Sequence, residues 1–221
     1  MVEIVVGPDD LIGPICILRR PCPAAPDNSL GGITMKRTLM HTCCAPCSIV
    51  CIDMLREDGI EPVSYWNNPN IHPWTEYRQR RDTLVAYAKS VGVKLILDGD
   101  YGIRPFTAAV ASDPDHRCGY CYAVRLGAAA AYAREQGFES FTTTLLVSPY
   151  QNRELLLETG YAMGEKYGVE FLPYDFRPRF REGQDRARAL GLYMQKYCGC
   201  IYSEEDRYRA KKRKKKEAAQ T

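Results

Sequence analysis

An α/β domain with a three-layer, Rossmann-like parallel sheet is what this 221-residue chain predicts. Two observations carry the prediction. From Met35 to the last cysteine pair, strand-like segments alternate with helix-like ones, and such alternation builds a parallel sheet covered on both faces. The helical segments also run one after another into Gly59, Gly92, Gly137 and Gly168, the residue that ends a helix with least strain. At 45% hydrophobic, the chain has enough apolar material for one good core, so a single domain is expected.

The elements follow in order. Residues 1–34 are rich in Pro and Gly and irregular beyond a strand-like run, Val2–Val6; they read as an extension, with Met35 as a candidate start. Cys16 and Cys22 lie in that extension and are set aside as ligands. The domain proper is expected over residues 35–210. Thr38–His41 reads as a short strand entering a turn at Cys43–Pro46; Pro46 suits a first helical position, and the helix continues over Cys47–Glu57. Pro62–Trp66 is the next strand. Thr75 is expected to cap a long helix whose apolar residues Tyr77, Leu84, Val85, Ala88 and Val91 fall on one face. Lys94–Leu97 is a strand, Ala123–Arg134 an Ala-rich helix and Phe141–Val147 a β-branched strand. Glu154–Tyr167 is a helix, Val169–Leu172 a strand and Arg186–Tyr197 a last helix. In such sheets the site lies beyond the carboxyl ends of the strands, which is where Cys43, Cys44 and the Ser148–Asn152 loop are expected.

Ten cysteines are the most informative part of the composition. The N-terminus lacks a basic flank, apolar stretch and small-residue cleavage site, and no apolar run reaches membrane-spanning length, so a cytoplasmic protein is expected. In a reducing compartment cysteines serve metal ligation or redox chemistry more than structural disulfides. Three groups stand out: His41-Thr-Cys-Cys-Ala-Pro-Cys47, Cys118-Gly-Tyr-Cys121 and Cys198-Gly-Cys200. Cys118 and Cys121 have the spacing that lets two thiolates bind one metal centre from a tight turn, and Cys43 with Cys44 is the natural second pair. Four thiolates suit Zn²⁺ or a [4Fe–4S] cluster; the adjacency of Cys43 and Cys44 favours the cluster, because zinc knuckles use spaced pairs.

Cys198-Gly-Cys200 is too close for two tetrahedral zinc positions, and a disulfide across Gly199 is strained and therefore oxidising. A redox-active dithiol is the first reading; two further metal ligands and an inert pair are the alternatives. Cys47, near a helix N-terminus, is expected to have a lowered pKa, while Cys51 belongs to the core. Cys44, Cys47 and Cys51 run opposite to the spacing of radical-SAM chemistry, and no Gly-rich phosphate loop follows the first strand.

The net charge of +3 comes from one place, the unbroken basic run Lys211–Lys216 in a tail spanning 211–221. A solvated tail and a polyanion-binding tail both fit that pattern.

At its cysteine motifs the chain resembles the non-cobalamin epoxyqueuosine reductase family. The resemblance rests on His41–Cys47, on Arg117-Cys-Gly-Tyr-Cys-Tyr122 followed by Arg125-Leu126, and on Thr142–Tyr150. Tyr174-Asp-Phe-Arg177 and Lys196–Cys200 through Arg207 complete it, so it covers roughly residues 36–209. It implies an adenine nucleotide α-hydrolase-like fold and reduction of the epoxide of epoxyqueuosine at the tRNA wobble position. It also implies a [4Fe–4S] cluster on Cys43, Cys44, Cys118 and Cys121, and a redox-active pair at Cys198 and Cys200. An additional mononuclear iron is a further implication, with Cys47 or Asp175 as its contributors.

Removing the epoxide oxygen needs two electrons and two protons. The dithiol is expected to serve as the second electron reservoir beside a one-electron cluster. His41, Asp175 and a tyrosine are the candidate proton donors, with a structural role for His41 equally open. A tRNA partner gives Arg177, Arg179, Arg181, Arg207, Arg209 and the basic run phosphates to neutralise, and Trp74, Tyr150 and Phe180 bases to stack on, with a core position for Trp74 equally open. The electron donor is unspecified, and no membrane partner is expected. Two other classes compete: a cluster-containing tRNA sulfurtransferase, for which His41–Cys47 has the wrong composition, and a zinc-stabilised RNA-binding module.

Overall fold

The computed structural model describes residues 2–4 and 37–218, with side chains over 37–209. The expectations for Met35, Cys16 and Cys22, and for the side chains of the basic run, lie outside the described residues. The sheet contains β1 (Val2–Ile4), β2 (Thr38–His41), β3 (Pro62–Trp66), β4 (Leu95–Leu97), β5 (Ser140–Thr143) and β6 (Glu170–Phe171), in the order β1-β4-β3-β2-β5-β6. The five strands from β2 onward are parallel; β1 joins the edge antiparallel to β4, pairing Glu3 with Ile96.

The helices are α1 (Ala45–Glu57), α2 (Trp74–Ser90), α3 (Ile103–Val110), α4 (Arg117–Glu135), α5 (Arg153–Tyr167), α6 (Phe180–Ala189) and α7 (Ile201–Ala218). Helix α1 packs with α2 and α6, and α4 packs on α5, which supplies the two outer layers around the sheet. The expected three-layer, Rossmann-like class is thus the one found. Among the described residues no helix is long and apolar enough to cross a membrane.

Strand β2 lies between β3 and β5, and all four of its residues are buried. The chain leaves β2 first toward β3 and later returns to add β5 on the other side. The order therefore reverses at β2, and the crevice beyond the carboxyl ends of β2 and β5 is the switch point where α/β sheets place their sites. The register holds that crevice in place: His41 pairs with Thr143, so Thr42–Cys44 and Thr144 leave the sheet side by side.

Close approaches fix the helices to this frame. A Cβ on Gly160 would meet the Phe171 ring at 2.3 Å, so α5 lies directly against β6 only because that residue is glycine. Gly168 closes α5 in the left-handed region at φ 66°, with the Val169 N–H reaching the Gly164 carbonyl at 3.0 Å.

Several elements depart from expectation. Thr75 does not cap α2, which begins one residue earlier after Pro73. The run Phe141–Val147 is half strand: Thr143 accepts from the Leu145 N–H through its own hydroxyl, which turns Thr144–Val147 into a 3-10 turn. Cys118 and Cys121 sit in the first turn of α4 and not in a turn preceding it. The last expected helix, Arg186–Tyr197, ends at Ala189, because Gly191 adopts φ 65° and the chain then runs irregularly to Cys200. The basic run 211–216 continues α7.

Candidate metal centre

Cys43, Cys44 and Cys47 come together at the switch point, their sulfurs all within 4.8 Å of one another and all buried. They sit where β2 gives way to the N-terminus of α1, with Cys44 as the residue before the first turn and Pro46 inside it. The first N–H groups of that helix have no internal partner, and its positive end favours negative charge on these sulfurs. Among them Cys43 is the thiol that ionises first. Hydrogen bonds from the Cys44 and Cys47 thiols hold it well below the ordinary thiol range, and Arg125 and Thr144 add to the effect. Thr144 anchors the same residue twice: its hydroxyl accepts from the Cys43 N–H at 3.1 Å and lies 3.4 Å from the Cys43 sulfur.

The thiol expected to be acidic, Cys47, goes the other way. Its hydrogen bonds to Cys43 and Cys44 keep its proton in place and raise its pKa, and burial adds to that. Cys44 is also raised, chiefly by burial. Cys51 is fully buried, as expected of a core residue, and donates its thiol to the Cys47 carbonyl at 3.1 Å.

Cys118 and Cys121 stand beside Cys198 and Cys200; burial is the first cause that raises both thiols, taking Cys121 up to about 12. Arg125, one turn beyond Cys121 on α4, lies between this second set and the first. Its guanidinium donates to Cys121 Sγ at 3.6 Å, to Asn68 Oδ1 at 2.7 Å and to His41 Nε2 at 3.3 Å. It also lies within electrostatic reach of Cys43. Arg125 is 2% exposed and meets no carboxylate among the described residues. A buried cation without an anion costs several kcal/mol. Of the surrounding sulfurs Cys43, held toward its thiolate, is the anion this cation has near it.

The contact with Arg125 also settles His41. Guanidinium only donates, so Nε2 must be the bare nitrogen and Nδ1–H donates to the Thr143 hydroxyl at 2.8 Å. Burial, with Arg125 next, lowers its pKa to about 3. Both nitrogens are engaged within the fold, which favours the structural role for His41.

Cys198-Gly-Cys200 is pinned from the β3–α2 loop and from α2. Buried Arg80, itself paired with Glu76 at 2.7 Å, donates to the carbonyls of Cys198 at 2.8 Å and Tyr197 at 3.0 Å. The His72 N–H donates to the Gly199 carbonyl at 2.8 Å, and His72 Nδ1 accepts from the Ile201 N–H at 3.4 Å. Cys198 is exposed and takes a hydrogen bond from Gln151 at 3.2 Å; Cys200 is buried near the start of α7.

Asp175 is not gathered with the thiols. Arg177 grips its carboxylate with two N–H donors at 2.7 Å and, with Arg153 nearby, holds its pKa at about 2. Of the aromatic candidates, Trp74 is 48% and Tyr150 85% exposed, with Tyr150 edge-on to Phe180, so none of that pair is spent on the core. Sequence reasoning missed Arg80 and Arg125 as parts of the site. The signal was present: arginines in otherwise amphipathic helices at core-facing positions, Arg80 one turn from Glu76 and Arg125 one turn from Cys121.

Residues 38–206 match the family model described as epoxyqueuosine reductase QueH. The chain is similar to the epoxyqueuosine reductase QueH of Dehalococcoides mccartyi, 35% identical with 78% of this chain and 94% of that one covered. It is also 37% identical to that of Thermotoga maritima, covering 76% of this chain and 91% of that one. Among solved structures it resembles a U34-tRNA thiolase, NcsA, from Methanococcus maripaludis at TM-score 0.50 and 16% identity, covering 77% and 62% of the two chains. That last likeness is one of fold.

Proposed function

The chain belongs to the epoxyqueuosine reductase QueH family, and from that premise we propose that it reduces the epoxide of epoxyqueuosine in tRNA to the alkene of queuosine, without cobalamin, in the cytoplasm. The observation that carries the reading is the buried thiol group Cys43, Cys44 and Cys47 at the switch point, faced by the buried cation Arg125, which meets no carboxylate among the described residues. Such a donor set fits iron with sulfide, which needs thiolates and a site tolerant of their charge. Cys43 and Cys44 with Cys118 and Cys121 are the proposed ligands of a [4Fe–4S] cluster. When bound, the cluster supplies single electrons at low potential. A mononuclear iron remains part of the proposal through Cys47; Asp175 would first have to leave Arg177.

The protein's own residues account for the rest. Reduction of the epoxide to an alkene takes up two electrons and two protons and releases water. Cys198 and Cys200, oxidised from dithiol to disulfide, release that number of each, and an external donor of unassigned identity must re-reduce them. Arg80 and His72 hold the two thiols in place from opposite ends of the same short segment. His41 has no free proton position, and Asp175 is already ionised at neutral pH, which leaves a tyrosine among the proton donors considered. The partner is tRNA carrying epoxyqueuosine, and the six basic residues of the 211–216 run are the charges proposed to meet its phosphates. Neither a zinc-stabilised RNA module nor a sulfurtransferase is favoured by the family match.

The test is anaerobic incubation of the purified protein with epoxyqueuosine-containing tRNA and dithionite, followed by nucleoside analysis. Queuosine should appear, and the protein should be brown. A colourless protein that leaves the epoxide intact overturns the reading. Cys200→Ser should lose turnover while keeping its absorbance; full turnover in that variant removes the dithiol from the reaction.

A further inference from the structure

A cleft of about 140 Å³ opens beside Cys121, walled by Pro69, Phe106, Tyr120 and Val124. Of the described cysteines only Cys121 reaches it, so it adjoins the thiol centre and is not the seat of a four-thiolate group. It is well below the usual size of a pocket that encloses a whole small-molecule ligand, so it suits one ring of a larger substrate. Its walls are apolar, and two unspent polar groups belong to residues that line it. Asn70 is 2% exposed and its Oδ1 has no hydrogen-bond partner among the described residues. Arg125 uses three of its five N–H groups on His41, Cys121 and Asn68, which leaves two. A buried acceptor and two buried donors without partners are costly in an empty protein and become useful when a ligand supplies their complements.

We propose that this cleft seats the hydroxylated five-membered ring attached to the wobble base of the tRNA substrate, while the base and the rest of the anticodon stay outside. The proposal rests on the reductase function above. The ring carbons lie against Phe106, Val124 and Pro69. Asn70 accepts from a ring hydroxyl, and Arg125 donates to a ring oxygen beside the Cys121 sulfur. Exposed Tyr120 forms the rim, where a nucleobase meets an aromatic face. Gly102 helps to set the width: a Cβ there would come within 2.6 Å of Pro69, so α3 can close against this wall only through glycine.

Val124→Phe fills the cleft from α4 without touching a proposed ligand. Steady-state turnover of epoxyqueuosine-containing tRNA should fall at least tenfold in kcat/KM, with iron and sulfide per chain unchanged. Binding of the same tRNA carrying unmodified guanine should stay within twofold of wild type, because that base has no ring to place. Should V124F lose its iron, Val124→Leu takes its place under the same criterion, since one methylene in a small apolar pocket is worth tenfold or more. Wild-type kcat/KM in the iron-loaded variant overturns the cleft assignment alone. A wild-type protein that leaves the epoxide untouched overturns the reductase function and the cleft assignment with it.

Discussion

Arg125 Nε and His41 Nε2 meet at 3.3 Å inside the protein, and the contact decides which imidazole nitrogen carries the proton. The same guanidinium reaches Cys121, so one side chain ties β2 to the first turn of α4.

Arg125 is therefore the buried counter-charge of the thiol centre. Arg125→Gln removes the cation and keeps a hydrogen-bonding group. The bound iron centre should become at least tenfold harder to reduce, a shift of about 59 mV to more negative potential for one electron. Redox titration of the anaerobically purified variant measures it. An unchanged potential would show that the cation is neutralised by something else.

Arg80→Met should cost about 3–5 kcal/mol, because it leaves Glu76 buried without its cation and frees the carbonyls of Tyr197 and Cys198. Urea unfolding reads the loss. In the native protein, alkylation of the buried Cys200 should also quicken as its segment loosens; unaltered labelling with reduced stability would confine Arg80 to the Glu76 pair.

His72 gives the protein an acid-sensitive point. Its folded-state pKa is lowered from the ordinary 6.5 to about 4, by burial. Above pH 6.5 both folded and unfolded chains hold it neutral and it contributes no pH dependence. Between about 6.5 and 4 the unfolded chain binds the proton and the folded one does not, so stability falls as pH falls through that window. A proton on Nδ1 also removes the acceptor for the Ile201 N–H. Urea midpoints between pH 7 and pH 5 should decline in the wild type and decline less in His72→Asn; parallel curves would place the acid sensitivity elsewhere.

Gly160→Ala should destabilise by about 1–3 kcal/mol, since the new methyl must displace the Phe171 ring or push α5 off the sheet. Thermal unfolding of the variant checks the figure, and a neutral result would mean the ring has room to turn.

Removal of the chain after Ala210 deletes six basic residues that extend α7. Affinity for tRNA should weaken, and the slope of log affinity against log salt should flatten by up to about 4, roughly 0.7 per lost phosphate contact. An identical slope would assign the run to solvation.

Much of this was legible in the residues because local and global signals agreed there. Pro62–Trp66 reads as a strand and is one, with Tyr65 and Trp66 buried. The helix before Gly168 was readable from its terminal glycine. Legibility failed where side chains replaced the backbone as partners. Thr143 looks like part of a β-branched strand until its hydroxyl takes the Leu145 N–H. The segment after Gly191 has helical composition, yet its carbonyls are claimed by Arg80 and His72 from distant parts of the chain. Cys47 was expected to ionise because a helix end is visible in sequence, but the competing thiols of Cys43 and Cys44 are a tertiary matter.

Because the last cysteine pair is clasped by Arg80 and His72, the order of synthesis has a chemical meaning. Cys43, Cys44 and Cys47 leave the ribosome early, whereas the clasped segment, whose Gln195 amide reaches the Cys47 sulfur at 3.5 Å, emerges more than a hundred residues later. For that interval the nascent domain presents an unlatched vestibule. Delivery of inorganic sulfur and iron is then easiest before the clasp closes, so a fully folded apoprotein should accept them more slowly than a newly made one.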